Sequence, residues 1–252
     1  HIMFDEAGIK PKDKIALVGR NTPRWCVVYI ATMTYGAVIV PILQDFTPTD
    51  IAHIVNHSES RLLFLTDSYW DNLDGDQMPD VEAVMSLTDY HVLYERDGDK
   101  MSRCINRMTE NYRKRYPRGF TVDDIKYADV PNDQVILLNY TSGTTSSPKG
   151  VMLTSRNISS NIKFALNRIP VKEGDTLMSM LPMAHMYGMA FEFIYPLCGG
   201  AHVYFLGKTP TPTILLKALA DIKPYLFITV PLVLEKIFKG TVMPTLAKPV
   251  MR

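Results

Sequence analysis

Residues 139–158 read NYTSGTTSSPKGVMLTSRNI, with eight serine and threonine side chains, two glycines and one lysine gathered around a single proline. That composition suits an anion. Gly143 and Gly150 let the backbone approach a ligand closely, so that N–H groups can point inward. Thr141, Ser142, Thr144, Thr145, Ser146 and Ser147 add hydroxyl donors, and Lys149 adds a mobile positive charge. The bland alternative is a solvent-facing Ser/Thr loop. The apolar run QVILLNY just ahead of it, and the Pro148-Lys149-Gly150 order behind it, favour a phosphate cradle directly ahead of a helix-like stretch. It is not a loop of the GxxxxGK(S/T) type. Counting from Gly143, proline stands where that pattern needs its second glycine, and Gly150 stands where it needs a magnesium-binding hydroxyl. A P-loop kinase or ATPase thereby loses its main support.

Other chemistry-bearing residues read as structural. His53 and His57 lie four apart on a predicted helix, a spacing that can bind a metal, but they lack an HExxH pattern or a third ligand and suit a solvated face. Asp97 with Asp99, and Asp123 with Asp124, sit in turn-like segments as capping or solvent-facing groups. Cys26, Cys104 and Cys198 are far apart and without CxxC spacing. They make neither a disulfide framework nor a zinc site, which favours a reducing compartment.

The elements that must position the loop follow from hydrophobic runs and their punctuation. KIALVG is a predicted strand, and Thr22 and Pro23 open a helix that Gly36 closes. AVIVPIL is a second strand, a helix capped by Thr47 or Thr49 follows, and RLLFLTD is a third strand. Alternation of this kind predicts an α/β fold with parallel sheets covered by helices. The middle is less regular, with HVLYE as a strand and SRCINRMTENYRKRYPRG as a basic, solvated helix. After Pro131 the alternation resumes: strand QVILLNY, the loop, helix SRNISSNIKFALNRI, strand TLMSMLP, helix AHMYGMAFEFIYPLCGG, strand AHVYFL, helix TPTILLKALADIK, strand PYLFITV and a Pro-initiated helix PLVLEKIFKG. A first α/β subdomain is predicted over 1–129 and a second over 130–252.

At 252 residues, 46% hydrophobic, the chain can bury a real core. A net charge of +1 gives no general pull toward nucleic acid or an acidic membrane. No apolar run reaches the ~18 residues of a membrane helix, and acidic residues interrupt the N-terminus at once, unlike a signal peptide. The expectation is a cytoplasmic protein, with any membrane association confined to peripheral contact.

The segment YTSGTTSSPKGVMLTSRN resembles the phosphate-binding signature of adenylate-forming enzymes, the AMP-binding acyl-CoA synthetases, which is close to (S/T)SGTTGxPKG. The stretch GIKPKDKIALVGRNTPRWCVVYIATMTYGAVIVPI resembles the N-terminal part of that family, with Asn21, Trp25, Gly36 and Pro41 in place. LPMAHMYG resembles its second core motif. TVPLVLEKIFKG is similar to the VPRxxEK segment of long-chain fatty-acyl ligases, although Leu232 replaces the usual arginine. Ser146 stands where the family usually has glycine; at positive φ that costs up to ~1–2 kcal/mol.

The resemblance implies part of the large N-terminal domain of an adenylate-forming enzyme, without its small C-terminal domain. It implies that a carboxylic acid, a long-chain fatty acid as first choice, attacks the α-phosphorus of ATP, and that CoA then displaces AMP. Residues 142–147 would hold the β- and γ-phosphates, Lys149 would neutralise departing pyrophosphate, and the Thr144 hydroxyl would approach Mg2+. His185 would stand where acyl tunnel and nucleotide site join, with Met183, Met186, Met189, Phe191 and Phe193 lining apolar space or forming plain core. YGxTE and TGD motifs of the family do not occur in the sequence, so the expectation is a fragment inactive by itself. The alternative is a non-catalytic module that binds nucleotide or pyrophosphate.

Overall fold

The computed structural model describes residues 1–141 and 147–246. By internal contacts the chain divides into two compact units, His1–Ser160 and Asn161–Arg252.

In the first unit the central apolar runs become strands because both faces are covered, so every residue can be hydrophobic, whereas the two outer strands are half-buried or exposed. These strands are β1 (Lys14–Val18), β2 (Val38–Ile42), β3 (Ser60–Leu65), β4 (Ala83–Ser86), β5 (Val92–Glu95), β6 (Val135–Thr141) and β7 (Lys149–Thr154). They form a sheet in the order β5-β4-β3-β1-β2-β6-β7. β1 pairs in parallel with β2 and β3, β3 with β4, and β2 with β6, while the outer strands β5 and β7 run antiparallel to their neighbours. All five residues of β2 are buried.

Helix Pro23–Tyr35 starts where Pro23 fixes the first turn and the Thr22 hydroxyl accepts the Trp25 N–H at 3.2 Å. It buries Trp25, Val28, Tyr29 and Thr32, with Trp25 stacked on Tyr29 at 5.3 Å between ring centroids. Helix Pro48–His57 carries a full capping box, in which the Asp50 N–H donates to Thr47 Oγ1 and the Thr47 N–H to Asp50 Oδ2, each at 3.2 Å. Its Ile51, Ile54 and Val55 join Ala16, Val18 and Val40 in one continuous core, which leaves Ile15, Leu17 and Ile39 for the opposite face of the sheet.

The sequence placed a boundary at 129/130. In the structure β6 and β7 complete the first sheet instead, and the division of contacts falls between Ser160 and Asn161. The second unit holds β8 (Thr176–Ser179), β9 (His202–Phe205) and β10 (Leu226–Phe227) as a parallel sheet in the order β10-β8-β9. Helix Pro212–Ile222 is capped by Thr211, which accepts the Ile214 N–H at 3.3 Å. The basic middle segment is two helices, Lys100–Asn106 and Met108–Arg115. The latter buries nothing, as a solvated face would, and Arg115 pairs with Asp5. No helix among the described residues is long and apolar enough to cross a membrane.

Candidate functional site

The hydroxyl-rich motif connects two antiparallel strands. Thr141 at the end of β6 stands opposite Lys149 at the start of β7, and Tyr140 stands opposite Gly150. Ile136, Leu137 and Tyr140 are buried and anchor β6 in the sheet. Thr141, Ser147, Lys149 and Gly150 are exposed and Pro148 is half-buried. Ser142, Gly143, Thr144, Thr145 and Ser146 lie outside the described residues. The register therefore brings Thr141 and Lys149 together across the mouth of the connection. Among the described residues no carboxylate pairs with the Lys149 ammonium.

One expectation about the motif changes. The sequence suggested a loop running straight into a helix, but Lys149–Thr154 is a strand and the helix starts only at Ser155. That helix has its own cap, since the Asn157 N–H donates to Thr154 Oγ1 at 3.3 Å and the Thr154 N–H donates back to Asn157 Oδ1 at 2.9 Å. An anion at the motif would thus rely on loop N–H groups, hydroxyls and Lys149 rather than on the positive end of a helix.

Gly150 also acquires a packing role. A Cβ there would stand 3.1 Å from Tyr140 Cζ and 3.3 Å from its hydroxyl oxygen. The same hydroxyl lies 2.7 Å from His57 Nδ1, and the two rings meet edge to face at 5.7 Å. His57, expected on a merely solvated face, is thus bonded to the residue that precedes the motif. Gly150→Ala is expected to destabilise the protein by about 1–3 kcal/mol through overpacking, measured by chemical denaturation. Unchanged stability with weakened ATP binding would instead assign the glycine to the ligand.

The LPMAHMYG motif lies in the second unit, just after β8. Its turn is held by the His185 N–H donating to the Pro182 carbonyl at 3.0 Å. His185 caps the short helix Met186–Gly188: its Nδ1 accepts the Tyr187 N–H at 3.2 Å. That bond places the neutral ring's proton on Nε2, and the exposed side chain can donate it. Gly188 is required by a close approach, because a Cβ would stand 2.5 Å from the Pro182 carbonyl oxygen. Met183, Met189 and Phe193 are buried, whereas Met186 and Phe191 are half-buried.

The sequence singled out nothing at Glu192, yet this is the most perturbed carboxyl of the second unit. It is 1% exposed, and its Oε2 accepts the N–H groups of Met180 and Leu181, each at 2.9 Å. Burial pushes it up to about 7. The available signal was a lone acidic residue inside the apolar run MAFEFIYPL.

Other candidates resolve simply. None of the three cysteines is in a disulfide, and burial raises each thiol above its ordinary value, so none is poised as a thiolate. Asp124 accepts the Thr121 N–H and hydroxyl at 2.8 and 2.9 Å, a cap as expected. Among the described residues no group of three or more His, Cys, Asp or Glu side chains could hold a metal, and Thr144 falls outside them.

The AMP-binding enzyme family matches residues 3–249. The chain is 29% identical over 246 residues to a chloroplastic long-chain-fatty-acid–acyl-carrier-protein ligase of Arabidopsis thaliana, covering 92% of this chain and 32% of that one. It is 27% identical over 245 residues to human long-chain-fatty-acid–CoA ligase 1, covering 90% of this chain and 33% of that one. The chain spans about a third of the length of these curated relatives. Among solved structures, ATP-bound MatB from Rhodopseudomonas palustris superposes with a TM-score of 0.75 at 19% identity, over 95% of this chain and 44% of that one. The N-terminal domain of FACL13 from Mycobacterium tuberculosis gives 0.73 at 20% identity, over 100% and 60%. These likenesses establish a shared fold.

Proposed function

The chain belongs to the AMP-binding enzyme family, and on that premise we propose that the whole protein activates a carboxylic acid with ATP and passes the acyl group to CoA. In the first step a carboxylate oxygen bonds to the α-phosphorus and the bond to pyrophosphate breaks. In the second the CoA thiol bonds to the acyl carbon and AMP leaves. The observation that supports this reading best is the hairpin register, which sets Lys149, paired with no carboxylate among the described residues, opposite Thr141 at the mouth of a hydroxyl-rich connection.

The demand of the first step is to stabilise charge growing on the leaving pyrophosphate, and fixed donors with a nearby cation do that best. Lys149 would hold that charge, with Thr141, Ser147 and the residues between them supplying hydroxyl and N–H donors. His185 would face the reacting acid or its adenylate with the Nε2 proton. Magnesium, bound chiefly through the phosphates with the Thr144 hydroxyl near it, would supply further charge neutralisation.

The acid is proposed to be a long-chain fatty acid. Support comes from the TVPLVLEKIFKG segment and from relatives whose names specify long-chain substrates. The test is CoA thioester formation by the whole protein across aliphatic acids of increasing length and a set of aryl acids. The reading expects kcat/KM to peak at long aliphatic chains. A peak at medium-chain or aryl acids overturns the substrate class, and no thioester with any acid favours a non-catalytic binding module.

A further inference from the structure

Glu192 lies in a π-helical segment, Met189–Ile194, between helices Met186–Gly188 and Tyr195–Cys198. Such segments interrupt the regular ladder and redirect side chains, often near functional sites. Here the glutamate reaches back to the backbone just past β8. One carboxyl oxygen takes the Met180 and Leu181 N–H groups, the Ser179 hydroxyl also bonds to the carboxyl group, and Oε1 is buried without a partner among the described residues. An acidic side chain held this way is costly where an amide or a hydroxyl would serve. Its placement therefore calls for a role beyond filling space.

Those two amides immediately precede the turn that carries His185. Leu181 leads into Pro182, whose carbonyl accepts the His185 N–H at 3.0 Å and presses on Gly188. His185 in turn takes the Tyr187 N–H on Nδ1. The carboxyl group thus fastens the entrance of the turn to the helical segment that leaves it.

We propose that Glu192 is the positioning residue for His185, its carboxyl group tying the Met180–Leu181 backbone to the segment Met189–Ile194 and so setting where the imidazole stands. The functional half of this assignment rests on His185 working in acid activation.

The hydrogen bonds that bear on the Glu192 proton come from the Ser179 hydroxyl and the two amides, and no charged side chain contributes to its shift. Its proton is therefore governed by burial. With the folded value raised from 4.5 to about 7, the native state holds more protons than the unfolded chain across that window. The contribution of Glu192 to stability accordingly falls as pH rises from 4.5 to about 7 and is flat above it.

The experiment is an NMR pH titration of the Met180 and Leu181 amides and the His185 ring in the wild type, Glu192→Gln and His185→Gln. The proposal expects an inflection near 7 in both amides, kept in His185→Gln and abolished in Glu192→Gln, with the His185 ring resonance displaced in Glu192→Gln. Amides without that inflection, or a His185 resonance indifferent to Glu192→Gln, would overturn it. In acid-activation assays of the whole protein, Glu192→Ala should lower kcat by about 10²-fold with KM for ATP unchanged, and Glu192→Gln should restore part of the loss. An equal rise in the KM for ATP would overturn the positioning role. A wild type that titrates as expected but activates no acid would count against the proposed function and leave the structural link standing.

Discussion

Replacing Lys149 by alanine is expected to slow acid-dependent ATP–pyrophosphate exchange by about 10²–10³-fold, the usual loss when one preorganised donor to developing charge is removed. Lys149 is exposed and sits at the first residue of an edge strand, opposite Thr141. No carboxylate among the described residues consumes its charge. Its removal should therefore leave stability within about 0.5 kcal/mol, so that the melting temperature barely moves while exchange collapses. Lys149→Arg keeps the charge but presents a planar fork in place of a compact ammonium, and partial recovery is expected. Exchange that survives Lys149→Ala, or that falls only in step with a lost fold, would remove the lysine from the chemistry.

Gly188→Ala is expected to lower kcat by about 10²-fold, because displacements near 1 Å at a reacting group cost that much. The added methyl would meet the Pro182 carbonyl oxygen at 2.5 Å and its carbon at 3.1 Å. These are backbone atoms, so relief requires the turn itself to move. That turn holds the His185 N–H, and Nδ1 takes its hydrogen bond from Tyr187, one residue before the substitution. Circular dichroism and a thermal melt would separate a misplaced imidazole from a lost domain. Wild-type kcat in a folded Gly188→Ala protein would show that His185 tolerates displacement and is no part of the reaction.

Much of the scaffold was legible because its signals are local. Thr22 with Pro23, a threonine at 47 or 49, and the run TPTILLKALADIK announced three capped helices, and all three form, with Thr22, Thr47 and Thr211 as the caps. The buried strands β1, β2 and β3 showed as unbroken apolar runs. What was missed depends on partners distant in sequence. β7 follows a motif rich in glycine and serine, and its residues are mostly exposed; pairing with β6 is what makes Lys149–Thr154 a strand. That same pairing carries the first unit past residue 129. β4, with the short sequence AVMS, was not read as a strand, and it owes its identity to neighbours on both sides.

The candidate site divides in a similar way. Its chemistry-bearing types at Lys149 and His185 were visible as motifs. The register between Thr141 and Lys149, the Tyr140 ring against Gly150 and the hold of Glu192 on Met180 and Leu181 were not, since each joins residues through folding. Gly150 shows the difference well. By composition it was a glycine for a ligand, and in the fold its missing side chain also makes room for a ring bonded to His57.

The most direct measurement of the central claim is product analysis with ATP labelled at the α- and γ-phosphates, a long-chain fatty acid and the whole protein, with and without CoA. The account predicts AMP and pyrophosphate in equal amounts, formed only when the acid is present, with one acyl-CoA per AMP once CoA is added. Release of ADP and phosphate, or of AMP without regard to the acid, would contradict it.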